Sequence, residues 1–254
     1  MNDTKMMIGV VVVGVILLGG LFFWRQSERP VIASGHPEWQ PIMYKDGDRI
    51  AGAGPALVEK IFSDAGVKTT FPYTGAWDEV QAKAKSGQVD VLVAAYKTTE
   101  REGYMVYSDP YTTDPVALFV KAGSKLSFTK WEDLIGKKGI GTVGDSYGQK
   151  FDDFIKAKLN VERVATSQEA FAKLTSGQAD YFVYSLYAGE KEIKRQGLQG
   201  KVDILPNYVA EENFYITISK KSPFVKYLPQ VNAGIAKYKA DGTIAQLIEQ
   251  YKNQ

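Results

Sequence analysis

The sequence lacks cysteine altogether and contains a single histidine, His36. Without cysteine, a disulfide framework, a thiolate metal site and a cysteine nucleophile are all excluded. One histidine is too few for a metal site built from several imidazoles. A phosphate-binding loop of the Gly-x-x-x-x-Gly-Lys-Ser/Thr type is also missing, so any ATP hydrolysis would have to come from a partner protein. We therefore expect neither a metal nor a cofactor.

The chain also lacks a strong charge bias. Its 31 lysine and arginine residues nearly balance 29 aspartate and glutamate residues, which gives a formal net charge of +2 at pH 7. Because no basic block or stripe occurs, the composition predicts no nucleic-acid partner. The 254 residues, of which 44% are hydrophobic, are enough for one large globular domain or for two lobes of ordinary size.

An uncharged apolar run occupies residues 6–24, a length of 19 residues. A helix needs about 20 such residues to cross a bilayer, and the run ends in Phe22, Phe23 and Trp24, residue types that favour the membrane interface. A cleaved signal peptide usually has a shorter apolar core followed by small residues. We therefore predict that residues 1–29 form a signal anchor; a cleaved signal peptide and a buried core helix are the alternatives.

The sequence repeats itself weakly at a spacing of 90 residues. Residues 83–93 (KAKSGQVDVLV) match residues 173–183 (KLTSGQADYFV), and each copy follows a stretch with helical apolar periodicity. In both copies a Ser-Gly pair is expected to end the helix before a buried strand begins. The echo predicts two α/β units of similar build, with the strand ends at 94–96 and 184–186 facing each other across a cleft.

A buried strand at residues 91–95 is followed by a Thr98-Thr99 pair that can cap a helix, which places Arg101 in or near the first turn of that helix. An arginine at this junction lies at the carboxyl edge of a sheet, where open α/β folds bind ligands. Its planar guanidinium suits a carboxylate. The sequence therefore predicts that Arg101 clamps an acid group of a ligand.

This segment, closed seven residues later by Ser108-Asp-Pro-Tyr111, resembles the extracytoplasmic solute-binding proteins of polar amino-acid ABC transporters, bacterial family 3. The resemblance runs from about residue 31 to residue 254. It implies an α/β, two-lobed type II periplasmic-binding-protein fold with a two-crossing hinge, preceded here by the N-terminal apolar helix. It also implies a location in the periplasm or at the outer face of the cytoplasmic membrane, with an ABC transporter permease as partner. We further expect a monomer that contacts the membrane through its N-terminal segment.

The order of predicted strands and helices divides the chain into two lobes joined by two crossings, which permits closure around a ligand. A strand at 115–121 is expected to follow a turn and to carry the first crossing. The predicted boundaries are 31–110 plus 212–254 for lobe 1, 116–206 for lobe 2, and 111–115 and 207–211 for the hinge.

The resemblance assigns ligand contacts to both lobes. Trp39, in a predicted loop, and Trp77, at a predicted helix start, align with the aromatic side chains that sandwich the ligand's carbon skeleton. In lobe 2, the turn that contacts the ligand's carboxylate has Asp145-Ser146 where the family usually has Gly-Thr. Independently, Ser146 and Gln149 fit a capping box, with Ser146 capping the helix and Gln149 reaching back.

Two departures from the family pattern affect the ammonium group of an amino-acid ligand. The aspartate that usually receives this group is replaced by Ser185, and the usual Gly-Met-Thr-x-Thr series is shortened to residues 95–98, Ala-Tyr-Lys-Thr. An ammonium group beside Lys97 and Arg101, with only Ser185 for company, would be costly. Alternatively, the ligand is an organic acid without an ammonium group. The candidates for a replacement carboxylate are Glu38, Asp145 and Glu212.

The predicted function is that of a binding protein, which captures a small carboxylate-bearing solute, an amino acid or a related organic acid, and delivers it to the permease. A tethered ligand-sensing domain, which would need a separate partner, is one alternative. A dehydratase-like enzyme acting on a cyclohexadienyl acid is another, but no nucleophile–base pair supports it. The predicted ligand-binding residues are Glu38, Trp39, Trp77, Ala94, Ala95, Tyr96, Arg101, Asp145, Ser146, Tyr147, Tyr184 and Ser185.

Overall fold

The computed structural model of the chain describes residues 29–254. The predicted signal anchor lies outside these residues. Within residues 29–254, no helix combines the length and the apolar character that crossing a membrane requires. Residues 31–254 form one compact unit.

Twelve strands occur among the described residues: β1 (Val31–Ser34), β2 (Glu38–Trp39), β3 (Met43–Asp46), β4 (Arg49–Ala51), β5 (Thr69–Thr70), β6 (Val91–Ala95), β7 (Met105–Lys121), β8 (Lys138–Thr142), β9 (Asn160–Val164), β10 (Tyr181–Ser185), β11 (Val202–Ile204) and β12 (Ala210–Ser219). Nine of them form a sheet in the order β5-β1-β6-β12-β7-β10-β8-β9, with β11 paired to β7. The other three form a small antiparallel sheet in the order β2-β3-β4.

Within residues 29–254, eight α-helices cover the sheets: α1 (Ala53–Asp64), α2 (Trp77–Ser86), α3 (Thr99–Glu102), α4 (Gln149–Lys158), α5 (Ser167–Ser176), α6 (Leu186–Arg195), α7 (Leu228–Ala240) and α8 (Thr243–Lys252). Two short 3-10 helices, Trp131–Leu134 and Pro223–Tyr227, complete the regular structure of the described part. The mixture of parallel strand pairs and covering helices is the α/β architecture that the sequence predicts.

The two long antiparallel strands β7 and β12 run through the middle of the large sheet. β7 spans 17 residues and pairs with β10 on one side and with β11 and β12 on the other, and β12 pairs in turn with β6. Their pairing extends from Met105 opposite Ser219 to Val116 opposite Ala210. The turn predicted before the strand at 115–121 is therefore wrong, because β7 is already extended from Met105 onward.

Both copies of the internal echo build the same helix–turn–strand unit. α2 and α5 end at Gly87 and Gly177, whose φ angles of 87° and 80° are left-handed and therefore favour glycine. In each unit the following aspartate accepts a hydrogen bond from a backbone N–H at the neighbouring parallel strand, at 2.9 Å for Asp90 and 2.7 Å for Asp180. The similar sequences thus produce the same local structure twice.

The strands that follow these turns, β6 and β10, carry four of the predicted site residues at their carboxyl ends. Every residue of β6 and of β10 is buried, as expected for strands that helices cover on both faces. Their carboxyl ends carry Ala94 and Ala95 in the first unit and Tyr184 and Ser185 in the second. Side chains at these ends are therefore held by a rigid core.

The position of Trp39 differs from the predicted loop. Trp39 lies in the two-residue strand β2, opposite Met43 in β3, and is buried. Strands of two to four residues show too little alternation of polar and apolar residues to be recognised in the sequence. Trp77, by contrast, begins α2 as predicted.

Candidate ligand-binding site

A cleft with a volume of about 20 Å³ lies at the carboxyl end of β6, which contributes Ala94 and Ala95 to its lining. A volume of this size holds about one water molecule, so a larger ligand requires the cleft to open. Its lining residues are His36, Trp39, Met43, Trp77, Ala94, Ala95, Tyr96, Arg101, Asp145, Ser146 and Phe214. The predicted residues outside this lining are Glu38, Tyr147, Tyr184 and Ser185.

The buried guanidinium of Arg101 forms one end of the cleft. Its Nε donates to Oε1 of Gln81 at 2.8 Å, and its two terminal nitrogens donate to the carbonyl oxygens of Tyr96 at 3.1 Å and Gly144 at 3.3 Å. All three acceptors are neutral, and no carboxylate within residues 29–254 forms an ion pair with this guanidinium. The ring of Trp77 lies 5.4 Å from Cζ. A buried cation with only neutral partners is suited to an anionic ligand group.

Aromatic rings form the walls of the cleft. The His36 ring lies edge-on to Trp39, with centroids 4.7 Å apart, and 5.6 Å from the Trp77 ring. Trp39 also contacts Tyr184 at 5.0 Å and Tyr96 at 6.0 Å. Aromatic pairs of this kind contribute about 0.5–1.5 kcal/mol each beyond the burial of their surface. The predicted tryptophans therefore belong to one connected, rigid wall, which His36 joins although it was not predicted.

His36 and Asp145 are joined by a buried hydrogen bond. Nδ1 of His36 accepts the backbone N–H of Glu38 at 2.9 Å, so the ring proton resides on Nε2, which donates to Oδ1 of Asp145 at 3.1 Å. The hydroxyl of Thr142 donates to the other carboxylate oxygen. Both oxygens of Asp145 are therefore already engaged by neutral donors.

The capping box predicted at Ser146 and Gln149 is wrong. Gln149 is the first residue of α4, and its side-chain oxygen accepts the backbone N–H of Thr99 at 2.9 Å instead of reaching back. The hydroxyl of Ser146 donates to Asp152, which also accepts the backbone N–H of Tyr147 at 2.9 Å. The turn that the resemblance assigned to the ligand's carboxylate thus donates to the carboxylate of Asp152 instead.

Glu38, Tyr147 and Tyr184 lie behind the cleft and support its walls. The hydroxyl of Tyr147 accepts the N–H of Thr142 at 3.1 Å, and that of Tyr184 donates to the carbonyl of Glu38 at 2.9 Å. Burial raises the pKa of both phenols, so both stay protonated at neutral pH. The carboxylate of Glu38 accepts the N–H of Ser167 at 3.0 Å, at the start of α5. Glu38 does not line the cleft itself but lines a larger adjoining opening, which shares His36 and Trp77 with the cleft.

Asp114, which was not among the predicted site residues, is the most deeply buried carboxylate behind the cleft, with an exposed fraction of 1%. It accepts hydrogen bonds from Nε1 of Trp39 at 2.9 Å, from the hydroxyl of Ser185 at 2.8 Å, and from the hydroxyl of Tyr96. Burial raises the pKa of Asp114 to about 6, although these three donors favour the ionised form. Asp114 lies in the middle of β7, within residues 111–115, which the sequence analysis assigned to the hinge.

Glu212 lies opposite Asp114 in the pairing of β12 with β7. It is half-buried, and burial followed by the nearby charge of Asp152 raises its pKa. The negative charges of Asp114, Asp145 and Glu212 all raise the pKa of the buried Tyr96 phenol, after burial itself. Arg101, Asp145 and Tyr96 thus line the cleft, and the carboxylates of Asp114 and Glu212 lie near the phenol of Tyr96 without lining the cleft.

Comparison with protein families identifies the chain. Residues 31–254 match the family model of bacterial extracellular solute-binding proteins, family 3, so the chain belongs to this family. The resemblance suggested by the segment around Arg101 is therefore confirmed. Members of the family and the similar proteins described next are binding proteins or sensor domains rather than enzymes, so the dehydratase alternative is not supported.

Similar proteins cover nearly the whole of the family region. The L-cystine-binding protein TcyA of Bacillus subtilis (strain 168) is 25% identical over 215 residues, which are 84% of this chain and 77% of that protein. An ancestral arginine-binding protein bound to arginine is 26% identical, with a TM-score of 0.74 over 89% of this chain and 99% of the other. A histidine kinase sensor domain with similarity to periplasmic binding proteins shares the fold, with a TM-score of 0.76 at 22% identity over 89% of this chain and 97% of the other. These similarities confirm the type II periplasmic-binding-protein fold.

Proposed function

We propose that this protein binds a small α-amino acid, or a closely related carboxylate, and delivers it to an ABC transporter permease. The observation that carries this proposal is the buried guanidinium of Arg101, which lines the cleft and has only neutral partners within residues 29–254. Its fork of donors suits a carboxylate. The relatives named for L-cystine and arginine are named for ligands that carry this group.

The proposed mechanism is closure of two lobes about β7 and β12. Residues 31–110 with 212–254 would move as lobe 1, and residues 116–206 as lobe 2. Contacts between these two parts support the idea, since each needs both sides to be close together: His36 with Asp145 at 3.1 Å, Glu38 with Ser167 at 3.0 Å, and Arg101 with Gly144 at 3.3 Å. A ligand that adds contacts to both sides would shift the population toward the closed form.

The permease would recognise the closed form, because only closure brings surfaces of both lobes together. We also propose that residues 1–29 anchor the protein at the outer face of the cytoplasmic membrane, where it acts as a monomer beside its permease. The uncharged run at residues 6–24 supports anchoring, since its length is near that of a membrane-spanning helix. Fractionation of cells that express the full chain or a chain without residues 1–29 tests the anchor: only the full chain should remain with the membranes.

A thermal-shift screen tests the ligand class. The panel contains the twenty common amino acids, L-cystine, dicarboxylates, aromatic acids and polyamines, each added to the purified protein. We expect the strongest stabilisation from a compound with an α-carboxylate, and no stabilisation of the Arg101→Ala variant by the same compound. Stabilisation by polyamines alone, which carry no carboxylate, would contradict the proposal.

A further inference from the structure

Ser185 replaces the aspartate that usually binds the ligand's ammonium group in the family, so another group would have to receive an ammonium group here. Ser185 is the last residue of β10 and lies opposite Val116 in β7. Its hydroxyl donates to Oδ1 of Asp114 at 2.8 Å. The side chain at position 185 therefore contacts a carboxylate directly, and this carboxylate belongs to the neighbouring strand β7.

The hydrogen bonds of Asp114 leave room for one more donor. Its three donors are the indole of Trp39, the phenol of Tyr96 and the hydroxyl of Ser185, all of them neutral. An ionised carboxylate has about four lone-pair sites, and Oδ1 accepts from Ser185 alone. No cation within residues 29–254 forms an ion pair with Asp114. Burial of a carboxylate without a cation is unfavourable, so a cationic group of a ligand would stabilise the ionised Asp114.

Asp114 and Arg101 form a complementary pair of buried charges around one residue. The carbonyl of Tyr96 accepts a hydrogen bond from Arg101 at 3.1 Å, and the phenol of the same residue donates to Asp114. The two charged groups therefore contact opposite ends of Tyr96, which lines the cleft together with Trp39. A zwitterion carries both a carboxylate and an ammonium group and would therefore offer one partner to each of these charges.

The other candidate carboxylates are less suited to receive the ammonium group. Glu38 is held by the backbone of Ser167 at the start of α5. Glu212 lies beside the like charge of Asp152, which raises its pKa together with burial. Asp145 does line the cleft, but it accepts from His36 and Thr142, whereas the hydroxyl of Ser185 donates to Asp114.

We propose that Asp114 receives the ammonium group of an α-amino acid, in place of the aspartate that Ser185 replaces. This inference rests on the proposed function. Trp39 and Tyr96, which line the cleft and donate to Asp114, separate the carboxylate from the ligand space. The ammonium group takes the free site of Oδ1 or displaces the phenol of Tyr96, which then turns toward the ligand as a further hydrogen-bonding group.

Isothermal titration of the full-length protein in mild detergent tests the inference. The probes are L-arginine, L-glutamine and L-cystine, each paired with the same acid in which hydrogen replaces the α-ammonium group. In Asp114→Asn we expect the affinity for the amino acid to fall at least about 30-fold, whereas affinity for the deamino acid changes less than about threefold. Asp109→Asn, an exposed substitution on the same strand, is the matched control and should bind like wild type.

A swap variant keeps the test decisive if Asp114→Asn does not fold. Asp114→Ser combined with Ser185→Asp moves the carboxylate to the position usual in the family and should restore amino-acid binding to within about tenfold of wild type. Equal losses for both members of a probe pair, or unchanged amino-acid binding by Asp114→Asn, would overturn the assignment of Asp114. Neither result would overturn the proposed function. If the wild-type protein binds the deamino acids but none of the amino acids, the assignment and the amino-acid part of the proposed function both fail.

Discussion

Nε2 of His36 lies 3.1 Å from Oδ1 of Asp145, and this hydrogen bond joins the segment after β1 to the segment after β8. Both side chains are buried and both line the cleft. The bond spans 109 positions of the sequence, so it forms only when the two parts of the fold approach each other. It therefore serves as a latch of the proposed closed form.

Replacement of His36 by alanine should weaken this latch. The variant loses the bond to Asp145 and the ring contacts with Trp39 and Trp77, so the closed form opens more readily. We expect ligand dissociation to become roughly 3- to 30-fold faster with little change in the association rate, since contacts made after encounter act mainly on dissociation. Stopped-flow measurement of tryptophan fluorescence gives both rates. An effect confined to association would show that His36 acts on ligand entry instead.

Replacement of Arg101 by alanine should abolish high-affinity binding while the protein still melts cooperatively. Loss of one partner of a desolvated charge pair costs about 2–5 kcal/mol, which corresponds to roughly 30-fold to several-thousand-fold in affinity. Arg195→Ala is the matched control, because that guanidinium is exposed and pairs with Glu192 at 2.6 Å on the surface. Titration calorimetry with the best ligand of the screen measures the loss. Binding by the alanine variant within threefold of wild type would exclude Arg101 as the clamp.

Amino-acid affinity should decrease as the pH falls below about 6. Burial raises the pKa of Asp114 to about 6, so this carboxyl becomes neutral in that range and loses its attraction for an ammonium group. The ligand in turn favours the ionised form, so affinity should fall by up to about tenfold per pH unit. The phenols of Tyr96, Tyr111 and Tyr187 also face Asp114, but their pKa values are raised and they stay neutral there.

Comparison of variants isolates this effect, because burial also raises the pKa of Glu212, which lies opposite Asp114 in the strand pairing. Asp114→Asn should remove the pH dependence, whereas Glu212→Gln should retain most of it. The stability of the ligand-free protein should change in the opposite sense. A carboxyl with a raised pKa binds its proton more tightly in the folded state, so this group favours folding as the pH falls from about 6 toward its ordinary value. A flat affinity profile between pH 5 and 7 would contradict the role of Asp114.

A chain consisting of residues 30–254 should be soluble and monomeric and should gain stability from ligand. The apolar run at 6–24 is separate in sequence from the compact unit of residues 31–254. At a ligand concentration of 100 times the dissociation constant, the free energy of unfolding should rise by about 2.7 kcal/mol. Gel filtration and thermal denaturation check both points. Aggregation of this chain would contradict the view of residues 1–29 as a separable anchor.

The parts of the fold that were predictable depend on local signals. The echo, with its Ser-Gly helix ends and apolar strands, placed α2, β6, α5 and β10, because helix periodicity and glycine stops act over about ten residues. The small sheet β2-β3-β4 was missed, since its strands are too short to show alternation. The continuous β7 was also missed, because its Asp-Pro pairs resemble turns in sequence, whereas pairing with β12 holds the strand extended.

The site residues also differ in how far the sequence could predict them. Arg101 was predicted because it lies at a junction between a strand and a helix, whereas Trp77 was predicted from the family resemblance. Asp114 was missed because its partners Trp39, Tyr96 and Ser185 are 75, 18 and 71 positions away, and only the tertiary fold brings them together. A buried carboxylate held by three distant donors leaves no local signal in the sequence.

The structure of the complex with the best ligand of the screen tests the central claim most directly. We predict that the ligand's carboxylate lies about 2.7–2.9 Å from the guanidinium nitrogens of Arg101, as in charge-assisted hydrogen bonds, with its ammonium group on Asp114. A crystal structure at a resolution that places individual ligand atoms suffices. A ligand bound outside the cleft, with the guanidinium of Arg101 still held only by Gln81, Tyr96 and Gly144, would contradict this account.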